Sequence, residues 1–202
     1  MNDFETWELP IGTLEYYDDS HTYIFNGCVL PSITQIMGVK FGNKYAGIDS
    51  EVLDKAAKKG SALHKSIQDY EELNLDDIAN RELKNYKFLK KHYKWKVRRC
   101  EIPIVLFKNG IPIAAGRLDL DVEIDNRFGI LDIKRTSAFD KEYVAYQTNL
   151  YRIGYRQTYG EEVEFVGGIH LREEKRRYYE LPINENMAWA LIDAYLKEKN
   201  NE

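Results

Sequence analysis

Polar and apolar positions alternate along residues 13–31, around Tyr16, Tyr23, Phe25 and Val29, and Asn26-Gly27 supplies a tight-turn pair. This period of two predicts an N-terminal hairpin. Pro31-Ser32 then opens a short helix through Met37 with Ser32 as its N-cap, and a loop is expected around Gly42. From Ser50 to Glu72 the period lengthens towards 3.6. Leu53, Ala56, Ala57, Leu63, Ile67 and Tyr70 form the apolar stripe of a helix that Gly60 interrupts. A second helix is expected over about 77–93, with Ala79, Leu83, Tyr86, Leu89 and Tyr93 on one face and Lys84, Lys87, Lys91 and Lys94 on another.

The period then returns to two. Ile102, Ile104 and Leu106 mark a strand, and Asn109-Gly110 a hairpin turn. Ile111 to Ile124 is a long strand, Asp125 to Gly129 turns, and Ile130 to Arg135 is a third strand. A helix follows from Asp140 to Tyr159, with Gly160 as C-cap. An apolar strand from Val163 to Leu171, a companion over 178–181 and a helix from about Asn184 to Lys197 complete the chain. The order helix, three strands, helix, strand, helix predicts an α/β fold with a mixed central sheet flanked by helices. Residues 1–48 are expected to form a hairpin-and-helix elaboration packed on a core of residues 49–202, as one compact domain.

Composition narrows the class. With 44% hydrophobic and 13% aromatic residues, the 202-residue chain can bury a proper core. Met1 to Pro10 is acidic and mixed and has no apolar signal-like region, and no stretch approaches the ~20 apolar residues of a membrane span. Cys28 and Cys100 lie far apart without ligand spacing. They point to a reducing, cytoplasmic setting and away from structural zinc or a cysteine-bound cluster. The net charge is −4 and the pI about 5.7, but binding follows the local field. Between Lys84 and Arg99 lie six further cations and no acid, and Lys175-Arg176-Arg177 forms a second basic cluster. Such runs are either solvated faces or phosphate-contacting ones.

The candidate chemistry lies on two strands. In Gly116–Ile124, alternation puts Leu118, Leu120, Val122 and Ile124 on one side and Asp119, Asp121 and Glu123 on the other. In Ile130–Lys134, Asp132 and Lys134 share a face. As antiparallel neighbours, these strands can bring a carboxylate from each to one point. Converging carboxylates repel unless a cation lies between them. Mg²⁺ wants hard oxygen ligands, and a lysine two residues along can steady developing negative charge. This is equipment for phosphodiester hydrolysis. On the pattern alone, a solvated acidic face remains open, and Asp121 rivals Asp119.

In this stretch the chain resembles the PD-(D/E)XK nucleases, within them the RecB-like and phage-type exonuclease branch. The family's G-x-x-x-H element appears as Gly60–His64, its strand glutamate as Glu101, and its G-x-(I/L)-D element as Gly116–Asp119. The D-x-K element appears as Asp132-Ile133-Lys134, followed by Arg135-Thr136, and the Q-x-x-x-Y element as Gln147–Tyr151. The resemblance spans about residues 50–155 and implies a restriction-endonuclease-like core in αβββαβ order. It prefers Asp119 over Asp121. It implies that Asp119 and Asp132, joined by the Ile133 carbonyl, hold Mg²⁺ or Mn²⁺, with His64 beside the ion and Lys134 positioning or activating water. Gln147 and Tyr151 would line the site, and Glu101 would belong to its outer part. The implied function is a metal-dependent deoxyribonuclease, an exonuclease of phage or bacterial recombination and repair. DNA would meet Lys84, Lys87, Lys91, Lys94 and Arg135. A single-strand annealing or recombination protein is a conceivable partner, and a ring-like homo-oligomer is compatible with the family. The alternatives are a metal-silent module of the same fold that binds nucleic acid or protein, and a two-carboxylate glycosidase.

Overall fold

The computed structural model describes residues 4–42 and 47–200. It is an α/β structure with a four-stranded and a five-stranded sheet. The N-terminal part is a full antiparallel meander: β1 (Phe4–Leu9), β2 (Gly12–Tyr17), β3 (Thr22–Phe25) and β4 (Cys28–Leu30). The hairpin expected across residues 13–31 is thus the inner part of a larger sheet, with Asn26-Gly27 turning β3 into β4 as expected. Ser32 caps α1 (Ile33–Phe41) in a reciprocal capping box with Gln35, and the helix runs a turn beyond Met37 because Val39 and Phe41 also find core contacts. The loop expected around Gly42 falls at 43–46, outside the described residues, although Gly42 itself caps α1.

Helix α2 (Ser50–Leu73) runs straight through Gly60. Its buried residues are Leu63 and Ile67, so its first half is mostly exposed and its second half packs. Helix α3 (Arg81–Tyr93) begins later than the pattern predicted. Asn80 sets its start by accepting the Glu82 and Leu83 N–H groups, while Asp77 turns the chain just before it.

The central sheet has the order β5 (Lys96–Lys108), β6 (Ile111–Ile124), β7 (Arg127–Lys134), β8 (Phe165–Arg172), β9 (Lys175–Leu181). All neighbours are antiparallel except β7 and β8, which α4 (Lys141–Tyr159) connects as a crossover. Asp125 and Asn126 both take positive φ, forming a two-residue turn that starts β7 at Arg127, three residues before the expected start. One face of the sheet packs on α1, α4 and α5 (Glu185–Asn200), the other on α2 and α3. The N-terminal sheet covers the outer end of the β5–β6 hairpin through Val105, Ala115 and Phe107, and Ala115 N–H donates to Pro31 O at 3.0 Å. Helix α4 also closes the open edge of β5: Thr158 and Gln157 accept from the Val105 and Phe107 N–H groups. Among the described residues no helix is long and apolar enough to cross a membrane.

The expected simple alternation on β5 and β6 does not hold. Ala114 and Leu118 belong to the α4-side core, but Leu120, Val122 and Ile124 to the α2–α3 core. On β5, Ile102, Ile104 and Leu106 lie on the α4 side and Cys100 on the other. Both strands therefore change phase at facing points, Glu101, whose φ is 49°, and Asp119.

Gly129 lies on β7 where a β-carbon would meet the Phe165 ring at 2.4 Å. Gly129→Ala should lower stability by about 1–3 kcal/mol, read as the urea midpoint, and Phe165→Leu in that background should recover part of the loss. An unchanged midpoint would mean that the ring does not press on this position.

Candidate metal centre

The β6–β7 ladder ends at Leu120 opposite Leu131, and beyond it the two strands part. Asp119 and Asp132 are the next residues on each side. On β5, the register that joins Cys100 to Leu120 and Ile102 to Leu118 leaves Glu101 facing Asp119. Three acids thus form a row across three adjacent strands. Asp119 and Asp132 are buried, and such a row is costly without cations.

The surrounding elements supply them. From the packed half of α2, His64 directs Nδ1 to Glu101 Oε1 at 3.4 Å and to Asp119 Oδ1 at 3.5 Å. Its Nε2 donates to the Ile133 carbonyl at 3.2 Å. Arg117 binds Glu101 Oε2 at 2.9 Å and also reaches Glu5 on β1. Lys134 donates to Asp132 Oδ1 at 2.9 Å. It also lies 2.8 Å from Oδ2, so the ammonium pairs with both oxygens of the carboxylate. The parted backbone is satisfied as well, because Ile133 N–H donates to Asp119 Oδ2 at 2.5 Å.

These contacts set the protonation of the cluster. Burial would lower the His64 pKa, but Asp119 and Glu101 outweigh it and raise the group to about 9. Burial raises Asp119 to about 7; Asp132 and Glu101 push the same way, against His64 and Lys134. Burial disfavours the Lys134 ammonium, yet Asp132 and Asp119 hold its pKa above the usual value, so Lys134 is a proton donor and not a base here.

The residues proposed from the sequence are drawn together with two corrections. His64, Glu101 and Asp119 present ligand atoms within 4.8 Å of one another, whereas Asp132 is engaged with Lys134. Glu101 therefore belongs inside the cluster and not to its outer part; its positive φ carries it there, between His64 and Arg117. The second correction concerns Asp121, which does not share Asp119's surroundings. It is fully buried and accepts from Arg99 Nε at 2.9 Å and the Tyr155 hydroxyl at 3.1 Å. The phase change at Asp119 separates the two. From α4, Gln147 and Tyr151 are buried beside the cluster, joined at 3.4 Å. Burial, then Asp119, raises the Tyr151 hydroxyl well above its ordinary pKa. A β-carbon at Gly116 would meet Tyr151 at 3.0 Å and Ile33 at 2.9 Å, so the glycine lets α4 approach β6. Arg117, given no role from the sequence, had one signal: it is the one basic residue of β6, two positions before Asp119.

The cations proposed to meet DNA divide. Lys87 is paired with Asp76 at 2.5 Å and Arg135 with Glu82 at 2.8 Å, which ties both to neighbouring acids instead of leaving them for phosphate. Lys84, Lys91 and Lys94 are exposed and form no ion pair among the described residues. A cavity of about 1070 Å³ opens beside His64, Glu101 and Arg117, with Trp7 of β1 on its wall.

The raised His64 pKa fixes a sign. The folded chain holds this proton more tightly than the unfolded one, so the contribution is full below pH 6.5 and is lost as pH rises through about 9. In EDTA, the denaturation midpoint should fall between pH 6.5 and pH 9, and His64→Asn should flatten that fall. Equal slopes in both proteins would remove the ion-paired imidazolium from the description.

No family model matches the chain, and no curated protein matches its sequence. Among solved structures, the crystal structure of SSO0001 is similar to it at 16% identity, covering 82% of this chain and 74% of that one, with a TM-score of 0.44.

Proposed function

We propose that the chain is a metal-dependent deoxyribonuclease of the PD-(D/E)XK kind, with β5–β9 and α4 as a restriction-endonuclease-like core and residues 1–48 as an elaboration beside it. The reading extends to the RecB-like and phage-type exonuclease branch, to phage or bacterial recombination and repair, and to the cytoplasm, where the free thiols of Cys28 and Cys100 are at home. The observation that carries it is the facing of Asp119 and Asp132 at the point where β6 and β7 part, with Lys134 on Asp132 and Gln147 and Tyr151 beside them.

The donor set fits Mg²⁺ or Mn²⁺. It is built of hard oxygens, and His64, Glu101 and Asp119 already present ligand atoms within 4.8 Å of one another. Asp119, Asp132 and the Ile133 carbonyl would hold the ion, with His64 and Glu101 beside it. When bound, the ion would polarise a phosphate oxygen and lower the pKa of a coordinated water. Loading would require His64 to give up either its proton or its carboxylate partners. Lys134, held as an ammonium, would donate to the negative charge that develops on the phosphate. Tyr151, kept as a neutral hydroxyl, and Gln147 would orient the phosphodiester.

Linear duplex DNA should be degraded with Mg²⁺ or Mn²⁺ and left intact in EDTA, with Asp132→Asn inactive while circular dichroism shows its fold intact. Full activity in that variant would exclude Asp132 as a ligand. Lys134→Ala should lower kcat by about 10²–10³ with DNA affinity preserved; unchanged turnover would remove the lysine from the chemistry. DNA binding without cleavage under any metal condition would favour the metal-silent module instead.

A further inference from the structure

The β8–β9 hairpin carries Lys175, Arg176 and Arg177, all exposed. Lys134 on β7 is opposite His170 on β8, and His170 is opposite Arg177 on β9. Facing residues of paired strands share a side of the sheet, and neighbouring strands lie about 4.8 Å apart. Arg177 therefore continues the row of Lys134 on the α4 side, roughly 10 Å away. That is about three nucleotides of axial rise along a DNA strand.

The segment that follows Lys134 folds back over this row. His170 Nε2 donates to Thr136 O at 2.7 Å, and Phe139 stacks on Tyr179 at 4.5 Å. Between this segment and the hairpin lies a cavity of about 700 Å³, lined among others by Ser137, His170, Arg177 and Asn85. On the other side of β9, Arg176 covers the Phe88 ring at 3.7 Å and donates to Asn85. Lys84 and Lys91 flank Phe88 about one helical turn to either side. The edge therefore presents cations on both of its sides. Its acids are Glu173, 3.9 Å from Arg81, and the exposed Glu174; Lys175 and Arg177 form no ion pair among the described residues, and cations outnumber acids on the hairpin. Lys87, Lys90 and Arg135, by contrast, are all neutralised by neighbouring acids.

We propose that this edge, centred on Arg177, binds the phosphodiester backbone of the DNA strand that leads into the metal centre. The proposal rests on the nuclease reading and adds the direction in which the strand lies: across the C-terminal ends of β7 and β8 to β9, read through phosphates and independent of sequence.

The test measures duplex DNA binding against salt concentration in the Asp132→Asn background, so that cleavage does not interfere. Arg177→Ala should reduce affinity about fivefold on every sequence and make the log–log salt slope shallower by about 1, while Arg177→Lys should restore most of the slope. Lys96→Ala, which removes an exposed cation paired with Glu123 at 2.8 Å on the far strand of the sheet, should leave the slope unchanged. An unaltered slope in Arg177→Ala, or an equal loss in Lys96→Ala, overturns the proposal even where the parent chain cleaves DNA. If the parent chain neither binds nor cleaves DNA, the nuclease reading itself fails.

Discussion

The structure turns on the point where β6 and β7 stop pairing. A parted pair of strands inside a protein would ordinarily leave buried backbone donors without partners. Here the carboxylate of Asp119 takes the Ile133 N–H that the ladder gives up. The strands can therefore diverge in the interior, and side chains from both helical layers reach the gap: His64 from α2 on one side, Gln147 and Tyr151 from α4 on the other. A continuous ladder would keep these layers apart.

The electrostatics follow from that opening. Three acids in a row would repel, and the fold answers with three cations drawn from different elements: His64, Arg117 and Lys134. These pairings leave the cluster close to neutral, which lets the chain fold with a buried acidic row. Under the proposed reading, a divalent ion would compete with the His64 imidazolium for the same oxygens, which would link occupancy to protonation.

Much of this was legible in the sequence, because the periods of the strands and helices are strong. Asn109-Gly110, Gly160 and Ser32 mark their turns and caps correctly, and Asp132 and Lys134 share a face as the spacing requires. What escaped the pattern were features set by tertiary contact. Alternation assigns Asp119 and Asp121 to one surface, yet a phase change between them sends Asp121 to Arg99 and Tyr155. The same change, with the positive φ of Glu101, brings that residue to His64. Ion pairing is equally hidden from a linear reading. Arg135 and Lys87 look like free cations until Glu82 and Asp76 are found beside them.

Helix α2 joins two unlike halves. Beyond Gly60 it is anchored by Leu63 and Ile67, and His64 belongs to this anchored half. Before Gly60 it has almost no tertiary support, so its amide protons should exchange through local opening that leaves the rest of the helix closed. That exposed half can therefore vary in sequence, or open and close, without loosening the imidazole that braces the acids.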